Sequence, residues 1–253
     1  MCLIVFAWRP GHPLPLVLAG NRDEFHARPT AALGPWPDAP GVYAGRDLEA
    51  GGTWMGIGPG GRFAAVTNIR APGARHGSLS RGALPAGYLA GALSLRAYAE
   101  QVYAERARYS GFNLLLSDGE SLCHLASEQP PRWLPAGVYG LSNAGLDTPW
   151  PKLVKARGAL AEALPEALSE RLFSLLQDHQ VPADADLPDT GVGLETERRL
   201  STAFIRGANY GTRASTLLYL YGSGEREVIE RSFGPQGVPM GEVRITAFSA
   251  PAG

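Results

Sequence analysis

Unbroken apolar runs at both ends of the chain enclose a middle stretch with helical spacing. Residues 3–8 and 14–19 are apolar throughout, and Arg9-Pro10-Gly11-His12-Pro13 between them is rich in turn formers, so the pair reads as a strand hairpin. Short β-forming runs follow at 62–68, 111–117, 122–126 and 138–142. Residues 95–109 read as a helix with Ser94 as N-cap. Farther on, Trp150, Leu153, Val154, Leu160, Ala161 and Leu164 share one helical face, with Thr148-Pro149 as its expected start. Leu168, Leu172, Leu175 and Leu176 form a second apolar stripe after Pro165. Beyond an acidic, proline- and glycine-containing loop at 182–193, residues 214–221, 226–233 and 243–248 predict three closing strands. No repeat or polar linker divides the chain, so one α+β domain over 1–253, its sheets covered by helices, is expected.

Polar residues interrupt this pattern where chemistry could reside. Cys2 becomes the N-terminal residue if Met1 is removed, and it then carries a thiol and an α-amine together. Such an amine titrates near ~7.7–8.0 and a thiol near ~8.5, so the amine can serve as the base for its own nucleophile. Cys2 also fits the simpler role of a small hydrophobe heading a buried strand. Asn21-Arg22-Asp23-Glu24 closes the second run, where the hairpin returns toward Cys2. Its arginine would lower the thiol pKa and its aspartate would orient the α-ammonium; alternatively, the four residues are a solvated strand end. Asn68 and Asn143 each follow an apolar run, placed either to donate to an oxyanion or to make a turn. Arg213, entering a strongly β-forming run, could anchor a carboxylate or lie on the surface.

Composition narrows the function classes. Net charge is −1, 19% of residues are charged and 45% hydrophobic, as in ordinary globular proteins. The only lysines are Lys152 and Lys155, and no basic block or zinc-finger spacing occurs, so no nucleic-acid partner is expected. Cys2 and Cys123 provide no disulfide framework, and the five histidines show no metal or haem-attachment spacing, so no metal site is expected. Gly56, Gly58 and Gly61 match a dinucleotide loop in spacing, but they precede a strand where that loop opens a helix. The run at 3–8 is too short for a signal core or a membrane span, and a cytoplasmic location is expected. Oligomeric state is not encoded in any pattern found.

Met1-Cys2, Asn21-Arg22-Asp23-Glu24-Phe25, Ala44-Gly45-Arg46-Asp47, Gly51-Gly52-Thr53-Trp54, Thr67-Asn68, Gly111-Phe112-Asn113-Leu114, Leu141-Ser142-Asn143, Pro149-Trp150-Pro151-Lys152 and Tyr210-Gly211-Thr212-Arg213 together resemble the NRDE family, the transport and Golgi organisation protein 2 family. That family is distantly similar to cysteine N-terminal nucleophile (Ntn) hydrolases of the bile-salt and penicillin V amidase type. The resemblance implies a four-layer αββα sandwich and a catalytic set of Cys2, Arg22, Asp23, Asn68, Asn143 and Arg213. The hydrolases separate their arginine and aspartate by two residues, whereas Arg22 and Asp23 are adjacent, and neighbours on a strand face opposite ways. Either a bulge turns both toward Cys2, or Asn21 and Asp23 share its face and Arg22 points elsewhere; Asn21 is therefore kept as a substrate-binding candidate, with Arg46. Two activities follow as expectations: hydrolysis of a small amide or acyl compound by Cys2 without a cofactor, or carriage of haem or acyl-CoA in the same pocket with arginines pairing the cargo's anionic groups.

Overall fold

The computed structural model describes residues 2–248 apart from Pro72, Ala74 and Arg75. Removal of Met1 therefore lies outside the described residues. Among the described residues, thirteen strands and five α-helices are numbered in chain order. The first sheet has the order β10-β1-β2-β11-β12-β13, built from Gly137–Leu141, Cys2–Trp8, Leu16–Phe25, Tyr210–Leu220, Glu225–Phe233 and Pro239–Phe248. The second runs β3 to β9: Thr30–Pro35, Tyr43–Asp47, Met55–Ile57, Phe63–Asn68, Phe112–Ser117, Leu122–Ala126 and Gln129–Trp133. All the strand pairings are antiparallel.

Side-chain alternation explains why the runs at 3–8 and 14–19 are apolar throughout. Ile4, Phe6, Trp8, Leu16 and Leu18 point between the sheets, where they meet Ile57, Phe63 and Leu115 of the second sheet. Leu3, Val5, Val17 and Ala19 point the other way, against α3 (Pro151–Ala163) and α4 (Ser169–Leu176). Strands covered on both faces read as continuous hydrophobic runs. The second sheet repeats this plan: Ala64, Val66, Leu114 and Leu116 lie under α1 (Ala83–Ala90) and α2 (Leu95–Glu105). Helix, sheet, sheet and helix thus stack in four layers, the αββα order.

Three details position the site. The hairpin forms as expected, but β2 continues to Phe25, so Asn21-Arg22-Asp23-Glu24 lies within a central strand. Asn21, Arg22 and Asp23 are 0%, 9% and 2% exposed, which corrects the reading of a solvated strand end. The helix expected from Thr148-Pro149 begins two residues later, with Trp150 as N-cap and Pro151 in the first turn, where its missing N–H costs nothing. Helix α3 packs hard on β10, because a Cβ at Gly140 would sit 2.5 Å from Leu153 Cδ2. The helix expected over 95–109 ends at Glu105 and finishes in a 3-10 turn, Arg106–Arg108.

Candidate active site

Antiparallel register sets Cys2 directly opposite Arg22. Cys2 shares its face with Ile4 and Phe6, so both the thiol and the guanidinium point between the sheets. There they meet a cavity of about 780 Å3 whose wall includes residues of both sheets and of the segment 76–82. Arg22 Nη2 lies 3.9 Å from a Glu24 oxygen, while Nη1 is buried and has no hydrogen-bond partner among the described residues.

Asn143 follows β10 and spans the gap between the sheets. Its Oδ1 accepts a long hydrogen bond from the Cys2 N–H at 3.4 Å, and its Nδ2 donates to the Asn68 carbonyl at 2.9 Å. A primary amide nitrogen carries two hydrogens, so one donor remains beside Cys2 after the bond to Asn68. Asn68 ends β6; its carbonyl fixes Asn143, and its residue lines the cavity.

The opposite face of β2 has a different role. Asn21 Nδ2 donates to the carbonyls of Leu176 and Ala203, both at 2.8 Å, and Oδ1 accepts from Ser215 Oγ at 2.6 Å. Asn21 therefore pins the end of α4 and the segment at 203 to the sheet, away from the face Cys2 uses, and its placement as a substrate contact is corrected. Asp23 accepts from Thr212 Oγ1 at 2.6 Å and, unlike Asn21, lines the cavity with Cys2 and Arg22. Arg22, not Asn21, is the residue that faces the cavity with Cys2. A bulge does occur, but in the partner strand: the β11–β2 register shifts between Thr212 and Ala214, which leaves Arg213 as the extra residue.

Arg213 turns its guanidinium back on the chain. Nη1 donates to the carbonyls of Phe25 and Arg28 and to Thr30 Oγ1, tying down the turn between β2 and β3 at the cavity wall. Arg46 grips Asp38 through two 2.6 Å hydrogen bonds, donates to the Gly51 carbonyl at 3.2 Å and stacks on Trp36. It contributes to the cavity rim, with its guanidinium engaged by the protein itself.

Electrostatics bear out the pull of Arg22 on the Cys2 thiol but set it against a stronger effect of burial. Burial pushes the Cys2 thiol above its ordinary pKa; Asp23 and Glu24 add to the rise, and Arg22 opposes it without reversing it. Burial likewise raises Asp23, against the pull of Lys152, Thr212 and Arg22. Near pH 7 the sulfur is thus a thiol that needs a base.

Three nearby groups escape sequence reasoning. Arg81 donates to the Gly111 carbonyl at 3.2 Å and lines the cavity; burial lowers its pKa, while Cys2 and Glu24 act to raise it. Nothing in its loop sequence marks it. Lys152, donating to the Leu200 carbonyl at 2.7 Å, is lowered by burial to about 8, with Asp23 opposing the drop. Its position in the Pro149-Trp150-Pro151-Lys152 motif was the available signal. Glu230 lines the cavity and accepts the Leu33 N–H at 2.7 Å. It shares the inward face of β12 with Val228, so strand alternation could have revealed it. Among the described residues, no His, Cys, Asp and Glu cluster is arranged to hold a metal ion.

A cysteine opening a central strand of an αββα sandwich, above a cavity shared by both sheets, defines the class as Ntn-hydrolase-like. The Caenorhabditis elegans N-acylethanolamine-hydrolyzing acid amidase ortholog has a similar fold, with a TM-score of 0.53 over 86% of this chain and 92% of that one, at 11% identity. Within that fold class the chain belongs to the Transport and Golgi organisation 2 family, whose model matches residues 1–235. It is 35% identical to the Bos taurus Transport and Golgi organization protein 2 homolog over 92% of this chain and 93% of the relative. Identity is 32% to the Homo sapiens homolog over 98% and 99%, and 30% to the Drosophila melanogaster protein over 92% of each. No helix among the described residues is long and apolar enough to cross a membrane.

Proposed function

We propose that the protein is an N-terminal cysteine amidohydrolase for a small amide or acyl compound, active once Met1 is removed. The observation that carries this reading is the Asn143 amide, held between the Cys2 N–H and the Asn68 carbonyl beside a cavity that Cys2 lines. Removal of Met1 turns the Cys2 nitrogen into an α-amine. In its neutral form this amine takes the Sγ proton, and the thiolate attacks the acyl carbon. The remaining Asn143 N–H donates to the oxyanion, and Arg22 Nη1 holds a substrate oxygen. The α-ammonium returns its proton to the leaving amine. Water then attacks the thioester, the same amine accepting its proton, and the carboxylic acid leaves with the thiol restored.

Intact mass spectrometry after exposure to acyl amides and thioesters tests the reading. The expected result is loss of Met1 and one acyl adduct that is absent from Cys2→Ala; full retention of Met1 in active protein overturns the self-basic mechanism.

Cavity size favours a second reading. A volume of about 780 Å3 exceeds what a small amide requires, and Arg22, Arg81 and Arg213 line its wall, as suits carriage of acyl-CoA or haem through carboxylates or phosphates. Stoichiometric binding of either cargo to Cys2→Ala, with no adduct on the native protein, would select carriage.

A further inference from the structure

Among the polar residues buried between the sheets, one chain starts at His124, which is not part of the cavity wall. His124 on β8 and Asn113 on β7 are 2% and 0% exposed, and Thr67 on β6 is 0% exposed. They share the inward face with Leu115, Leu122 and Phe63. Apolar residues would fill such positions without the cost of desolvating an amide, an imidazole and a hydroxyl. The bonds these groups make all lead to one place.

His124 Nε2 lies 3.3 Å from Asn113 Oδ1. A carbonyl oxygen only accepts, so the imidazole nitrogen donates and fixes which way the Asn113 amide faces. Burial supports the neutral imidazole, lowering its pKa to about 4. Asn113 Nδ2 then donates to Thr67 Oγ1 at 3.2 Å and to the Ala144 carbonyl at 2.7 Å. Thr67 Oγ1 donates to the Ser142 carbonyl at 2.7 Å, and Ser142 Oγ donates to the Cys2 carbonyl at 3.2 Å. The residues on either side of Asn143 are therefore held from the second sheet, and Ser142 is also fastened to the nucleophile's own backbone. Asn143 itself is held by the long bond to Cys2, by its bond to the Asn68 carbonyl and by the Arg70 N–H, which donates to the Asn143 carbonyl at 2.7 Å; of these only the first two engage its side-chain amide.

We propose that Asn113 is a positioning residue, which acts through Thr67 and the 142–144 turn to place the Asn143 amide as the oxyanion donor. The inference rests on the hydrolase reading and adds the device that aligns its donor. Displacing a donor by about 1 Å can cost as much as 10²-fold in rate, so removing either link should slow acyl transfer while leaving the sulfur intact.

Two reactions of Cys2 in the processed protein separate these effects: acylation by an S-phenyl thioester, which passes through an oxyanion, and alkylation by iodoacetamide, which does not. In Asn113→Leu, acylation is expected to fall about tenfold or more, with alkylation within about twofold of the native rate. Thr67→Val should behave alike, and Thr67→Ser, which keeps the hydroxyl, should restore acylation; this pair carries the test if Asn113→Leu does not fold. Native-rate acylation in Thr67→Val and any folded Asn113→Leu overturns the proposal, as does a parallel fall in both reactions. If the native protein is alkylated but never acylated, the hydrolase reading itself fails, and the positioning role goes with it.

Discussion

Burial holds Cys2 as a thiol near neutral pH, so its reactivity depends on a base in contact more than on the arginine across the strand pair. Alkylation of Cys2 in a form that retains Met1 should be slow at pH 6.5 and rise about tenfold per pH unit through the alkaline range. Processed protein should react faster at pH 7.5, because an amine then stands beside the sulfur; equal rates would show that the amine is not the base. His124 offers a second measurement. Its pKa is lowered by burial from 6.5 to about 4, so the unfolded chain binds the extra proton first as pH falls between those values. The native state therefore loses on the order of 3 kcal/mol of stability from pH 6.5 to pH 4 through this one group. His124→Gln retains an N–H for Asn113 but does not titrate, so urea unfolding of this variant should show a shallower loss by about that amount. Equal pH dependence in both proteins would show that His124 already shares its proton with solvent. At this scale Cys2, Arg22 and Asn143 drew attention because polar or reactive residue types interrupted or bounded apolar runs. Asn21 was misread because its partners, Leu176, Ala203 and Ser215, lie more than a hundred residues away in sequence.

Strands and loops differ in how much of their structure the sequence announces. Strands β1, β6, β7 and β8 are covered on both faces, and their continuous apolar runs reveal them. The edge strands of the second sheet stay hidden. β9 contains Pro130 and Pro131, and β3 ends in Pro35, residues a central strand would reject but an edge tolerates, since one side of its backbone needs no ladder partner. The bulge at Arg213 is equally silent, because it is defined by register against β2 and not by residue type. Gly52 shows how a loop motif acquires physical meaning: a Cβ there would lie 2.4 Å from the Gly82 carbonyl carbon and oxygen, where the segment 76–82 docks to form the cavity wall. Thr53 N–H donates to that same Gly82 carbonyl at 3.1 Å. Gly52→Ala should therefore lower stability by about 3 kcal/mol, seen as an earlier urea midpoint. An unchanged midpoint would mean that the segment shifts freely and that the contact does not shape the wall.

For the molecule as a whole, the order of strands and helices suggested one α+β domain with sheets covered by helices, and the four-layer stack was implied only by the family resemblance. Which strands become neighbours was not legible: β11 lies between β2 and β12, a long-range pairing that no local pattern records. That arrangement gives the cavity walls from both halves of the sandwich. A molecule occupying it would act as mortar between two courses of brick, and heat would have to expel it before the sheets could part. Binding energy then becomes melting temperature: a ligand at about 100 times its Kd adds about 2.7 kcal/mol, or roughly 5–10 °C for a chain of this size. A thermal-shift screen of unlabelled metabolites can thus find the natural occupant before its chemistry is known. Arg22→Met, which keeps the cavity filled while removing the unpaired donor, should erase the shift for a true occupant and spare it for a compound that binds elsewhere.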